Sequence, residues 1–155
     1  MRIDNNIEPR ILVAPLKSEN QEEAFEILTS ALAEVGAIPD ADAAMAALLE
    51  RETYATTNLG NGLAIPHGIV VGVERVIAAI GICPEPIPYP GEGEVRVVIL
   101  LIGPKDKPDM HVRALAHVAR IMRQPGIVDH LVGSTDPHRD LVSLLEDEAS
   151  RPFPQ

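Results

Sequence analysis

Apolar residues recur along this chain with two different periods. Between positions 24 and 35, Ala24, Phe25, Leu28, Ala31, Leu32 and Val35 return every three or four residues and stop at Gly36, which predicts an amphipathic helix. Ser18 and Gln21, spaced as a capping box, mark its expected start. A second helix is predicted from Asp40 or Asp42, with Ala44, Met45, Leu48 and Leu49 turned inward and Arg51 in the last turn. Arg51 therefore stands where a helix gives way to a loop.

Three segments follow a strand pattern instead: Arg10 to Leu16, Val73 to Cys83, and Val95 to Ile102. The last is almost unbroken in β-branched and aliphatic residues, as expected of a strand covered on both faces. Between the second and third, Pro84 to Gly93 is too rich in Pro and Gly for a helix or a central strand and is expected to be a surface loop. A helix is predicted from Asp109 to Gln124, with Val112, Leu115, Ala116, Ala119 and Met122 as its apolar stripe. Asp136 as N-cap with Pro137 behind it opens a terminal helix carrying Leu141, Leu144 and Leu145. Strand, two helices, strands, then helices is the order of an α/β domain, a mixed β-sheet flanked by helices in layers. The domain is expected to span residues 1–148, with 149–155 a frayed tail.

Composition narrows the function. With 155 residues, 46% of them hydrophobic, the chain fits one domain with a sizeable core. Thirteen Lys and Arg against 23 Asp and Glu leave a formal net charge of -10, so a grip on nucleic acid would work against the protein's own field. Cys83 is a lone cysteine, which rules out an internal disulfide and suits a reducing compartment. The segment Met1 to Asn6 has no signal-peptide architecture, and no apolar run approaches the roughly 20 residues of a membrane span. A cytoplasmic protein without direct membrane insertion is expected.

Reactive chemistry near neutral pH then falls to the histidines. His67 lies in Gly60-Asn61-Gly62-Leu63-Ala64-Ile65-Pro66-His67-Gly68, where a short apolar strand leaves a glycine-punctuated loop. Pro66 restricts how the imidazole is presented, and Gly68 is expected to leave space beside it for another molecule. A histidine in an ordinary turn is the competing reading, and the crowding of Gly, Pro and His into nine residues weighs against it. His111 falls on the edge of its helix's apolar stripe and is expected at the core boundary, facing a cleft. His117 projects with Arg113 and Arg120 onto the polar side, as a solvated residue, and His130 and His138 look equally ordinary. There is no His-Glu-x-x-His, paired Cys, Gly-x-Ser-x-Gly elbow or phosphate-cradling Gly-Lys loop. A His67–His111 metal site stays open as the weaker alternative. The stronger one is an imidazole that accepts a phosphoryl group.

The run Arg51 to Gly68, Arg-Glu-Thr-Tyr-Ala-Thr-Thr-Asn-Leu-Gly-Asn-Gly-Leu-Ala-Ile-Pro-His-Gly, resembles the active-site signature of the fructose and mannitol type of enzyme IIA domains. These belong to the bacterial phosphoenolpyruvate-dependent sugar phosphotransferase system. Pro86-Ile87 leading to Val95, then Met110-His111-Val112 and Leu115-Ala116, resemble the later half of the family, so the similarity covers nearly the whole chain. The resemblance implies a mixed sheet flanked by helices, His67 as the phosphorylated residue, His111 as its neighbour and Arg51 as the cation beside the phosphoryl group. It implies a phosphotransferase that needs no dissociable cofactor, takes its phosphoryl group from phospho-HPr and hands it to a cysteine of an enzyme IIB domain. The nitrogen-related branch of the family implies instead a regulator whose phosphorylation state controls other proteins. Asn58 stands where many members have Gly, and Asn tolerates positive φ well enough to keep the loop geometry. Lys105 and Lys107 are expected to border the cleft or to act only as solubilising charges.

Overall fold

The apolar run predicted to be covered on both faces becomes the spine of the sheet. In a computed structural model that describes the backbone of residues 7–150 and the side chains of residues 7–143, this strand, β6 (Val95–Pro104), is the central one. It pairs antiparallel with β5 (Val76–Ile87), which pairs parallel with β1 (Ile7–Val13). On its other side β6 pairs parallel with two short strands, β3 (Leu63–Ala64) and β4 (His67–Val70), and β2 (Asn58–Gly60) closes a hairpin onto β3. The sheet is mixed, as the pattern predicts.

Because side chains alternate along a strand, β6 feeds two separate cores. Val97, Ile99 and Leu101 face α3 (Pro108–Met122), α4 (Ile127–Gly133) and α5 (Pro137–Ser150), joining Ala114, Val118, Ile121, Leu131 and Leu141. Val98, Leu100 and Ile102 face α1 (Gln21–Glu34) and α2 (Ala41–Glu52), joining Phe25, Leu28, Leu32, Ala44 and Leu48. The result is a three-layer α/β/α domain. Among the described residues no helix is long and apolar enough to cross a membrane.

Several expectations shift. The first strand starts and ends three residues earlier than the pattern suggests, since Pro15 lacks the N–H a continuing ladder needs. The second begins at Val76, after a turn at Gly72 with φ +98. Its far end runs through Pro84 and Pro86 to Ile87, where a loop is expected. β1 pairs with it as far as Gly81 and Leu16 N–H adds a bond to the Ile82 carbonyl at 2.7 Å, so beyond Ile82 that side of β5 is an edge and tolerates Pro. Asn58 is paired in β2, and the left-handed residues of this loop are Gly60, Asn61 and Gly62, the Asn-Gly pair forming the two-residue turn of the β2–β3 hairpin.

The helix α3 faces the sheet with a different stripe from the one predicted. His111, Ala114, Val118 and Ile121 are buried, whereas Val112 is 62% exposed and Ala116 is exposed as well. His117 is not solvated either. It is buried, and its Nδ1 accepts from the Arg120 guanidinium Nη2 at 3.1 Å. A single apolar stripe presumes one neighbour, but α3 packs on α5 as well as on the sheet. The helix α4 has no counterpart in the sequence reading: it is two turns long and follows Gly126 at φ +80 with no side-chain cap. Asp136 does cap α5, accepting from the Arg139 N–H. Ala149 and Ser150 still belong to that helix, the remaining expected tail, 151–155, lies outside the described residues, and so do the side chains of Leu144 and Leu145.

Helix α1 is capped by Asn20 and not by Ser18. The Asn20 side chain accepts from the Glu23 N–H at 2.9 Å, while the Ser18 hydroxyl donates to the Asn20 carbonyl at 2.7 Å. Loss of an N-cap oxygen costs about 1 kcal/mol. Asn20→Ala is therefore expected to lower the free energy of unfolding in urea by about 1 kcal/mol and Ser18→Ala by less than about half that; the reverse order would return the cap to Ser18.

Candidate functional site

β3 and β4 are one strand interrupted at Ile65-Pro66, and the interruption builds the site. Leu101 N–H of β6 donates to the Pro66 carbonyl at 2.9 Å, so the chain stays on β6 across the break. The Ile65 carbonyl has no backbone partner among the described residues and lies 2.9 Å from His67 Nδ1. A carbonyl can only accept, so Nδ1 carries the proton and Nε2 carries the lone pair. Arg51 Nε–H donates to that lone pair at 3.1 Å, and Arg51 Nη1 donates to the Ala55 carbonyl at 2.9 Å. Burial lowers the pKa of His67, the Ile65 carbonyl partly opposes this, and the Arg51 charge adds to the lowering. The lowered pKa favours the neutral imidazole, with Nδ1 committed to Ile65 and the Nε2 lone pair held, among the described residues, by Arg51 alone.

Two glycines allow the helices to approach. A Cβ on Gly68 would lie 3.0 Å from the Ala47 Cβ and 3.3 Å from the Leu48 nitrogen, so β4 touches the α2 backbone. The space beside His67 predicted for another molecule is on this side filled by α2, which is what puts Arg51 within reach of the ring. A Cβ on Gly103 would come within 2.2 Å of His111 Nδ1, so only glycine lets α3 lay this side chain against β6. The His67 and His111 ring centroids are 5.5 Å apart.

His111 is buried, and burial followed by the nearby His67 pushes its pKa down to about 4. Its Nδ1 is sealed from solvent without a hydrogen-bond partner, and its ring lines the cavity next to His67. An orphaned buried N–H is more costly than an orphaned lone pair. The favoured tautomer thus holds its proton on Nε2, the nitrogen not sealed against Gly103, as a donor. The cavity, about 450 Å³, is lined by Arg51, Tyr54, His67, Gly68, Ile69, Lys105 and His111, with Ala47 and Glu50. Of the two lysines only Lys105 borders it, since Lys107 precedes α3 and reaches the Glu74 carbonyl instead. A larger cavity of about 590 Å³, beside the Asn61 turn and the α3–α4 connection, contains no histidine and none of these groups.

The structure thus brings together all three residues singled out by sequence, Arg51, His67 and His111. It leaves out His117, His130 and His138. His130 Nε2 meets Asp140 at 3.2 Å and does not line the cavity, and Cys83 is buried with its thiol pKa raised to about 11. Among the described residues no group of three or more His, Cys, Asp or Glu side chains is placed to hold a metal ion. Sequence reasoning missed the Ile65 carbonyl, Gly103, and a polar chain around Glu52 and Thr57. The only signal for Gly103 was its place directly after the apolar run.

Residues 7–147 match the sequence profile of the phosphoenolpyruvate-dependent sugar phosphotransferase system, EIIA 2. The chain belongs to this family. It is 31% identical over 138 residues to a nitrogen regulatory protein of Bradyrhizobium diazoefficiens, a match covering 88% of this chain and 90% of that one. It is 32% identical over 134 residues to the mannitol-specific EIICBA component of Vibrio cholerae, covering 84% of this chain but only 20% of that longer protein. The fold superposes on the Escherichia coli mannitol enzyme IIA solved in complex with phosphorylated enzyme IIB, with TM-score 0.71 and 19% identity over 90% of this chain and 99% of that one. Family membership supports a phosphotransferase role in general terms and accounts for the mixed sheet flanked by helices.

Two outcomes follow from the site's electrostatics. In an NMR titration the His67 ring is expected to change charge below pH 6.5, and the His111 ring near pH 4. The unfolded chain binds these protons first, so acidification from pH 6.5 toward 4 removes stability, and His111→Gln is expected to flatten that slope. His111 titrating at its ordinary value would show that it is not buried. Separately, Gly103→Ala is expected to fold but to expel the His111 ring, returning its titration toward 6.5; an unchanged titration would mean that α3 yields without losing the side chain.

Proposed function

We propose that this domain is a phosphocarrier whose His67 Nε2 accepts a phosphoryl group from the phosphohistidine of an HPr-type donor and passes it to a cysteine of an enzyme IIB domain. The observation that carries this reading is the Nδ1–H···O=C bond to Ile65, which leaves a neutral imidazole with Nε2 as its one nucleophilic atom. In the transfer, the Nε2 lone pair forms a bond to phosphorus while the donor's N–P bond breaks and its electron pair returns to the donor imidazole. The ring acquires positive charge, and the Ile65 carbonyl already accepts from the N–H that carries it. Arg51 Nε–H releases Nε2 and turns to the phosphoryl oxygens while Nη1 stays on Ala55. His111 Nε2–H supplies a further donor, and passage to a thiolate reverses the same motions.

A second reading has its own support. The match to the nitrogen regulatory protein is nearly end to end in both chains, and phosphorylation adds about -1.5 to -2 charges to the cavity mouth. In that reading the phosphoryl group of His67 switches the binding of other proteins. Affinity capture with His67→Ala and with His67→Glu separates the two: different captured proteins favour the regulator, whereas identical capture with rapid delivery to a IIB domain favours the relay.

The direct test incubates the protein with phosphoenolpyruvate, enzyme I and HPr and reads its intact mass. The wild type is expected to gain one acid-labile, base-stable phosphoryl group and His67→Ala none; labelling of the mutant to wild-type extent would contradict the assignment. Arg51→Lys keeps the charge but loses the fork, and is expected to slow transfer by about 10² to 10³.

A further inference from the structure

The Pro- and Gly-rich segment after β5 plays no part in the transfer as described, yet it is bound to the turn that orients Arg51. Residues 53–57 connect α2 to β2, and the Ala55 carbonyl in that turn holds Arg51 Nη1. Three consecutive residues beyond it are tied to the segment. Thr56 Oγ1 donates to the Pro90 carbonyl at 2.6 Å, Thr57 Oγ1 and the Tyr89 hydroxyl are 2.6 Å apart, and Asn58 Nδ2 donates to the Gly93 carbonyl at 2.9 Å.

The proton count fixes the direction of the central contact. Thr57 Oγ1 lies 2.5 Å from Glu52 Oε2, and an ionised carboxylate only accepts, so the one hydroxyl proton of Thr57 goes to Glu52. Tyr89 must then donate to Thr57. Glu52 also accepts from the Thr57 N–H at 3.3 Å and from Gln21 Nε2 at 3.0 Å. The chain Tyr89 O–H to Thr57 O–H to Glu52 therefore ends on the neighbour of Arg51. Tyr89 is itself well anchored: its ring is buried edge-on to Phe25 with centroids 6.2 Å apart, and its phenol stays protonated because burial raises its pKa.

We propose that Tyr89, acting through Thr57 and Glu52, is a positioning residue for Arg51. It fixes the 53–57 turn so that the Ala55 carbonyl and His67 Nε2 together set the plane of the guanidinium. Small misplacements of a group that must meet a transferring phosphoryl lower the rate without weakening partner binding. The proposal rests on the phosphocarrier reading for its catalytic consequence, although its geometric content does not.

The test compares Tyr89→Phe, Thr57→Val and Thr57→Ser with the wild type. Tyr89→Phe keeps the ring on Phe25 and removes the hydroxyl, with its bonds to Thr57 and Gln21. It is expected to lower kcat for phosphoryl acceptance about tenfold to a hundredfold with KM for the phosphorylated donor within about twofold. In the unphosphorylated protein, the ¹⁵N resonance of His67 Nε2 is expected to shift as the Arg51 bond loosens. Thr57→Val is expected to behave in the same way, and Thr57→Ser, which keeps the hydroxyl chain, to stay near wild type. Folded Tyr89→Phe and Thr57→Val proteins with wild-type resonance and rate would overturn the proposal, whatever their thermal stability. A wild type that accepts no phosphoryl group would overturn the phosphocarrier reading instead, and the resonance comparison would still decide whether Tyr89 positions Arg51.

Discussion

The Ile65 carbonyl decides the chemistry of His67. An imidazole in water exchanges its proton between two nitrogens, and a nucleophile with that freedom presents no fixed atom to an incoming phosphorus. Here Pro66 interrupts the strand that runs along β6, which leaves the Ile65 carbonyl without a ladder partner among the described residues and within 2.9 Å of Nδ1. Everything else at the site presupposes that bond. Arg51 can donate to Nε2 only because Nε2 is a lone pair, and burial can hold the ring neutral because its polar edge is already satisfied.

The layers of the fold then deliver the other groups at short range. β6 is apolar on both faces, so α2 is held on one side of the sheet and α3 on the other. His67 lies in β4 between them, opposite Leu101 of β6. Two missing side chains, at Gly68 and Gly103, let the helices close until Arg51 and His111 reach the same ring. Arg51 is further tied to the Ala55 carbonyl in a turn anchored by Glu52, Thr57 and Tyr89. In the phosphocarrier reading, a site that receives a charged group from one protein and releases it to another gains from donors that are already oriented.

Much of this was legible in the chain. The periodicities of α1 and α2 and the unbroken run of β6 predicted the layers, because burial on one face or on both leaves its mark on every residue of an element. The family resemblance of the Arg51 to Gly68 run and of Met110-His111-Val112 pointed to the three side chains that the fold brings together. The face of α3 was misjudged because Val112 and Ala116 are as apolar as Ala114 and Val118, and only the packing of α5 and β6 decides which pair is covered. Short elements such as α4 and β2 carry too few residues to show a period. The tautomer of His67 depends on a backbone carbonyl, and no side-chain pattern records where a carbonyl points.

The measurement that bears most directly on this account is the identity of the phosphorylated nitrogen, read from ³¹P–¹⁵N couplings and ring ¹⁵N shifts of the uniformly labelled protein after transfer from phospho-HPr. The account predicts a single phosphohistidine, at His67, with phosphorus on Nε2 and a proton retained on Nδ1 toward Ile65. Phosphorus on Nδ1 of His67, or on any other residue, would contradict it.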